Sequence, residues 1–374
     1  MLKLPTISYL TDIYFDFGAV KVLPDLLKKY RVLRPLVITD KGLVKLGILE
    51  KLGIESPVVF DSIETNPTEA MVLAAVEVYK QSRCDGLVGV GGGSPIDLAK
   101  CAAILVNHPP PLEQYAILRN GISRITADMP PFIAIPTTSG TGSEVGRAAL
   151  VTLAGVGKLG FLSKHLLPTA TICDPEITIE LPSWLTAGTG MDAISHCVET
   201  FCSLRFNPVA DAIALDGLER GFKNIVKATY NGTDRPARAE MMMCSLQGGL
   251  AFQKGLGAVH SLSHPLGALT EKRLHHGTLN AIFLPVVLRF NFDYCKEKMD
   301  VIAEKLKIKK ASLLPERFAR LNEELGLPSR LQELGLTKED MEPLAIKAKE
   351  DHCTPTNPRP LEVEDCLKLY IEAY

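Results

Sequence analysis

The chain has 374 residues, 46% of them hydrophobic and 22% charged, with a formal net charge of −2. That profile belongs to a globular protein of one or two domains, and it excludes disorder, collagen and attraction to nucleic acid or a membrane surface through bulk charge. Nine cysteines with no C-x-x-C pair exclude a secreted disulfide framework and a zinc ribbon, and they fit reduced thiols in a cytosol. The start of the chain reads as free of a signal peptide, because Lys3 is followed by Asp12 and Asp16 before an apolar stretch develops. No apolar run reaches the roughly 18 to 20 residues of a membrane span.

From about residue 13 to 173, short runs of Val, Ile and Leu alternate with amphipathic stretches and are bounded by Gly, Pro or Asp, which is the grammar of β-α-β units. Strands are expected at 36–39, 58–60, 86–90 and 132–135, each apolar on consecutive positions, as strands covered on both faces of a parallel sheet should be. Helices are expected at 69–82 and 95–106, a hairpin at 148–153 and 158–162, and a last strand at 171–173. After Pro182 the strand pattern stops, and from Trp184 the spacing is helical. The expected architecture is an α/β dinucleotide-type domain with a parallel sheet over 1–180, followed by an all-α domain over 181–374.

Asp40 closes the first of these strands. An acidic residue there can accept hydrogen bonds from an adenosine ribose and repel a 2′-phosphate. At about 4 Å and an effective dielectric of about 20 that repulsion is about 4 kcal/mol, enough to favour NAD over NADP. The same residue equally suits an N-cap for a helix beginning at Lys41. The strand at 86–90 runs into GGGSPIDLAK at 91–100, where glycines without Cβ and the free N–H groups of a helix start can take a phosphate. Pro95 suits the first helical position, and the alternative reading is a tight turn with Ser94 as N-cap. A second loop, PTTSGTGSE at 136–144, follows the strand at 132–135 and places hydroxyls and glycines at the carboxyl edge of the sheet, where open α/β sheets bind ligands.

The helical half concentrates its histidines. Asp192 and His196 are four apart, as are His260 and His264, and His275-His276-Gly277 follows. Such pairs lie one turn apart on a helix face. A carboxylate with two or three imidazoles is a ligand set for Fe(II) or Zn(II) with room for an exogenous oxygen, and spacing alone leaves open which histidines bind.

Taken together, GGGSPIDLAK at 91–100, PTTSGTGSE at 136–144, GTGMDAISH at 188–196, GAVHSLSHPLG at 257–267 and CTPTNPR at 353–359 resemble the iron-containing (group III) alcohol dehydrogenases over nearly the whole chain. The resemblance implies an active site in the cleft between an N-terminal dinucleotide domain and a C-terminal helical one. It implies NAD and Fe(II), with Zn(II) as the alternative ion, and a small primary alcohol or aldehyde as substrate. Its implied metal ligands are Asp192, His196, His260 and His276, with His264 as a proton relay beside the substrate. Its implied cofactor contacts are Asp40, Asn66, Gly92, Gly93, Ser94, Asp97, Thr137, Thr138 and Lys158. Cys353 and Phe252 border the implied substrate pocket, and Arg147 could host an acidic group. A cytoplasmic homodimer or larger homo-oligomer, with neither nucleic acid nor membrane as partner, completes the expectation. Hydroxy-acid and maleylacetate reduction, a dehydroquinate synthase-like lyase, and binding without turnover are the competing readings.

Overall fold

A computed structural model describes residues 9, 11–63, 66–269 and 271–374. The leader reading at the extreme N-terminus, Lys3 included, lies outside the described residues. Two compact units divide at Thr178 and Ile179.

In the first unit β1 (Asp12–Phe15), β2 (Pro35–Ile38), β3 (Val58–Phe60), β4 (Gly86–Gly91), β5 (Phe132–Pro136) and β8 (Ala170–Cys173) form one sheet in the order β1-β8-β5-β4-β2-β3. Every neighbouring pair is parallel. A separate antiparallel hairpin joins β6 (Ala148–Leu153) to β7 (Gly157–Leu162). Helices α1 (Leu23–Lys29), α2 (Lys41–Lys45), α3 (Ile48–Lys51), α4 (Glu69–Gln81) and α5 (Gly93–Asn107) connect the strands.

The consecutive apolar residues of the central strands feed two cores. Leu36, Ile38, Leu87, Phe132 and Ala134 join one, and Val37, Val88, Val90, Ile133 and Ile135 join the other. This is the alternation of a pleated strand with both faces covered. Strand β1 was not among the expected strands, because at the sheet's edge it is only half-buried and its Asp12 and Tyr14 break the apolar run.

The second unit has no strand among the described residues. Its helices are α6 (Ser183–Cys202), α7 (Pro208–Tyr230), α8 (Arg235–Ala251), α9 (Ala258–Gly267), α10 (His276–Asn291), α11 (Lys296–Lys305), α12 (Leu314–Glu324), α13 (Met341–Glu350) and α14 (Val363–Ala373), around one core. Helix α6 is buried continuously from Thr186 to Cys202 although it carries Asp192, His196 and Glu199. Buried charge on that scale must be paired or must hold a metal. Among the described residues no helix is long and apolar enough to cross a membrane.

Candidate active site

The parallel register sets Gly91 at the end of β4 opposite Pro136 at the end of β5. The two loops therefore leave adjacent strands at the same sheet edge, and they touch: the Thr137 N–H donates to the Gly91 carbonyl at 2.9 Å. A Cβ on Gly92 would lie 3.3 Å from Thr138 Oγ1, and one on Gly93 would lie 3.0 Å from Thr141 Cγ2. At Gly91, φ is +152° and a Cβ would fall 2.5 Å from the Pro95 ring, so glycine is required there on both counts. Helix α5 begins at Gly93 with Gly92 as its N-cap, two residues earlier than the expected start at Pro95. Ser94 and Pro95 thus stand inside the first turn, where a missing N–H breaks no helical bond.

Asp40 lies two residues past β2, the strand beside β4, and caps α2 by accepting from the Leu43 N–H at 3.0 Å through Oδ1. Its other carboxylate oxygen is not used by that cap. Asn66 accepts from Lys158 Nζ at 3.0 Å, which brings together two of the expected cofactor residues from distant segments. Asp97 turns inward: Oδ1 accepts from Ser143 Oγ at 2.5 Å and Oδ2 from the Leu150 N–H at 2.9 Å. Lys100, wholly buried, donates to the carbonyls of Ser143 (2.6 Å), Gly146 (2.7 Å) and Ala148 (2.8 Å). Asp97 and Lys100, one turn apart on α5, therefore pin the end of the hydroxyl-rich loop. Burial lowers the Lys100 ammonium to about 8 against the pull of Asp97 and Glu144. It also raises the neighbouring Glu144 carboxyl to about 7.

In the helical unit, α6 and α10 meet at two glycines. A Cβ on Gly277 would lie 2.1 Å from the Gly188 carbonyl oxygen. One turn further along α6, Asp192 Oδ1 stands 3.6 Å from His196 Nε2, 3.6 Å from His260 Nε2 and 3.6 Å from His276 Nε2. A tetrahedral ion with bonds of about 2.1 Å has donor-to-donor edges of about 3.4 Å. These separations are close to such an edge, Asp192, His196 and His260 each offer a donor within 4.8 Å of the others, and oxygen and imidazole donors suit Fe(II) or Zn(II). Burial opposes ionisation of Asp192, but His196, His276 and His260 outweigh it and hold its carboxyl well below the usual range. His275 points elsewhere: it caps α10 by accepting from the Thr278 N–H at 3.3 Å and packs edge-on to Trp184.

Sequence reasoning missed three supporting side chains. Glu199 lies seven residues after Asp192, on the same face of α6, a spacing that was available to be read. Its Oε2 is 2.5 Å from His260 Nδ1, and its Oε1 accepts from the Val259 N–H at 2.7 Å. A metal-binding histidine is oriented by such a carboxylate on its other nitrogen. Burial lowers the His260 pKa, yet Glu199 and Asp192 carry it to about 9. Asn280, one turn after His276, donates to Asp192 Oδ1 at 2.7 Å. Asn357 takes the Ala258 N–H at 3.0 Å, so that with Glu199 it satisfies the free N-terminus of α9. A Cβ on Gly257 would strike both of these side chains.

His264 lies one turn beyond His260 on α9, its ring stacked 5.4 Å from that of His276. Its Nδ1 is 2.9 Å from Asp351 Oδ2. Burial resists, but His264 and His352 hold the Asp351 carboxyl well below the usual range. The Phe252 ring is 5.5 Å from that of His196. Cys353 is buried beside Asp351, and its N–H donates to Asp351 Oδ1 at 2.8 Å.

Comparison with known proteins gives a consistent result. The family described as iron-containing alcohol dehydrogenase matches residues 11–175, and the C-terminal region of the Fe-containing alcohol dehydrogenase family matches 186–374. The chain is 49% identical to the 4-hydroxybutyrate dehydrogenase of Cupriavidus necator, over 97% of this chain and 98% of that protein. It is 35% identical to the 1,3-propanediol dehydrogenase of Citrobacter freundii, over 96% of each. Among solved structures, a 1,3-propanediol oxidoreductase superposes with a TM-score of 0.93 at 34% identity, covering 99% of this chain and 100% of that one. The sulfoacetaldehyde reductase of Bifidobacterium kashiwanohense in complex with NAD+ superposes with a TM-score of 0.90 at 26% identity, covering 99% and 98%.

Proposed function

From membership in the iron-containing alcohol dehydrogenase family, to which this chain belongs as an NAD-dependent alcohol oxidoreductase, we propose that it interconverts 4-hydroxybutyrate, or a close ω-hydroxy acid, with the corresponding aldehyde. The observation that carries this is the 49% identity to the Cupriavidus necator 4-hydroxybutyrate dehydrogenase, against 35% for the propanediol enzyme. The reacting group is still a small primary alcohol, and what the reading adds is a carboxylate at the other end.

In this reading Asp192, His196, His260 and His276 hold the iron and Glu199 orients His260. The N-terminal unit serves NAD through the loops at Gly92, Gly93, Ser94, Thr137 and Thr138 and through Asp40, Asn66 and Lys158, with Asp97 acting from within. When bound, iron supplies Lewis acidity toward the alcohol oxygen and NAD supplies the hydride acceptor. His264 moves the proton. The Asp351 carboxylate accepts from Nδ1–H, which fixes the tautomer and leaves Nε2 to take a proton in oxidation and return it in reduction. A homo-oligomeric state and a cytoplasmic location belong to the same reading, the latter supported by nine free thiols.

The test compares 4-hydroxybutyrate with 1,4-butanediol on iron-loaded protein, following NADH. The acid should be favoured about tenfold or more in kcat/KM, the worth of one charged hydrogen bond. Equal use of acid and diol would refute the acid reading.

A further inference from the structure

Beside the aspartate and histidine cluster lies a second group of donors that the reaction does not use as ligands. Asp351, His352 and Cys353 are consecutive in the turn after α13, and His264 approaches them from α9. One donor atom from each of the four lies within 4.8 Å of the others. His264 Nδ1 is 2.9 Å from Asp351 Oδ2, His352 Nε2 is 3.5 Å from Cys353 Sγ, and His352 Nδ1 is 3.6 Å from Asp351 Oδ1. The rings of His264 and His352 stack 5.4 Å apart at 11°.

We infer that these four residues form a second metal site, selective for a thiophilic divalent cation of the zinc class and separate from the iron ligands. Tetrahedral zinc with bonds of about 2.0–2.1 Å to nitrogen or oxygen and about 2.3 Å to sulfur needs donor-to-donor edges of about 3.4–3.6 Å. With His352 offering Nε2, its 3.5 Å separation from Cys353 Sγ already matches. The longest must contract by about an ångström, and His352, whose side chain is 46% exposed, has the freedom to supply it. Between His264 and Asp351 a proton now bridges nitrogen and oxygen, and the ion would take its place. Cys353 would bind as thiolate and the His264 proton would move from Nδ1 to Nε2, so that one proton leaves as one dication enters. With Asp351 and Cys353 ionised and both imidazoles neutral, the loaded site carries no net charge, which suits its partly buried donors. The adjacent iron set has only oxygen and imidazole donors. Softness therefore separates the two sites: thiolate selects zinc-class ions and discriminates against Mg, Ca and Mn. Because a second-site ion occupies His264 Nδ1, it also ties up the proposed relay, and zinc would act as an inhibitor that leaves iron in place.

The experiment titrates chelator-stripped full-length protein with Co(II), Zn(II) and Mn(II), counting bound metal and recording the near-ultraviolet spectrum of the cobalt form. Two cobalt or zinc ions but one manganese ion per chain are expected, with a thiolate-to-cobalt charge-transfer band. Cys353→Ser should abolish the band, and His352→Ala should lower the total from two ions to one while the first ion still binds. His352 is half-exposed, so that variant retains the fold, which circular dichroism checks. Zinc added to the iron-loaded protein should inhibit without releasing iron to a ferrous chelator. One ion per chain for every metal overturns the proposal, and so does a band that survives Cys353→Ser. A second ion that persists in His352→Ala, or inhibition accompanied by stoichiometric iron release, does the same.

Discussion

At the sheet edge of the N-terminal unit the surface proposed to take the cofactor is mostly backbone: three glycines, the start of α5 and a loop of hydroxyls. The acidic and basic side chains there are largely spent on neutral internal partners, Asp97 on Ser143 and Leu150, Lys158 on Asn66, and Lys100 on three carbonyls. In the helical unit the order is reversed. Backbone groups are satisfied within helices, and the chemistry sits on Asp192 and the imidazoles around it, held at 3.6 Å by buried carboxylate and amide partners. A backbone-built site is damaged by adding atoms where glycine stands, whereas a side-chain-built site is damaged by removing them. Substitutions in the two regions should therefore fail in different measurements.

The largest effect is expected from Asp192→Asn, which removes the anionic donor that stands 3.6 Å from each of His196, His260 and His276. Iron content should collapse and turnover should fall on the order of 10³-fold, with NADH binding intact. Metal analysis alongside fluorescence titration of NADH checks it, and full activity in an iron-free variant would dissolve the distinction between the two regions.

Next comes a stability effect confined to the N-terminal unit. The Glu144 carboxyl, ordinarily at 4.5, is raised to about 7 by burial. A group so raised contributes stability that is complete below about 4.5 and is lost as pH climbs through 7, about 3 kcal/mol in all. Lys100, lowered to about 8 from 10.5, works in the other direction, and stability returns as pH rises from about 8 toward 10.5. Urea midpoints should therefore fall between pH 5 and pH 7.5 in the wild type and stay nearly level in Glu144→Gln. A variant as pH-sensitive as the parent would remove Glu144 from the account.

Glu199→Gln tests the helical side more gently. The amide keeps the shape and one hydrogen bond but loses the charge facing His260 Nδ1, so iron affinity should drop roughly 10- to 100-fold, measured by chelator competition. Turnover at saturating iron should recover much of its value, unlike that of Asp192→Asn.

How far these features were legible in the sequence follows from the same contrast. Periodicity exposes what a helix or a buried strand repeats, so the strands of the central sheet and the pairs Asp192/His196 and His260/His264 could be read directly. The half-buried edge strand β1 could not, because its sequence lacks the apolar run. Glu199 was readable in principle, at i+7 from Asp192, yet a lone glutamate on a helix more often faces solvent, and only its burial shows otherwise. Asn357 and Asp351 reach α9 from segments about a hundred residues away, and no local pattern encodes that meeting. The start of α5 was misplaced because proline at the first helical position is the common case, whereas here Gly92 caps the helix and Pro95 falls two residues inside.

The smallest effect bears on Asp40, where two roles share one carboxylate. As N-cap of α2 it accepts from the Leu43 N–H, worth about 1 kcal/mol if replaced by alanine. As a negative charge at a strand's carboxyl end it should disfavour a 2′-phosphate. Asparagine separates the roles, since it caps as well as aspartate and carries no charge. Asp40→Asn should leave the melting temperature in place while raising the NADPH-to-NADH ratio of kcat/KM, and Asp40→Ala should raise the same ratio and also lower stability. If asparagine leaves the ratio untouched, Asp40 is a helix cap alone, and selectivity for NAD must come from backbone and shape, like the other contacts proposed for this unit.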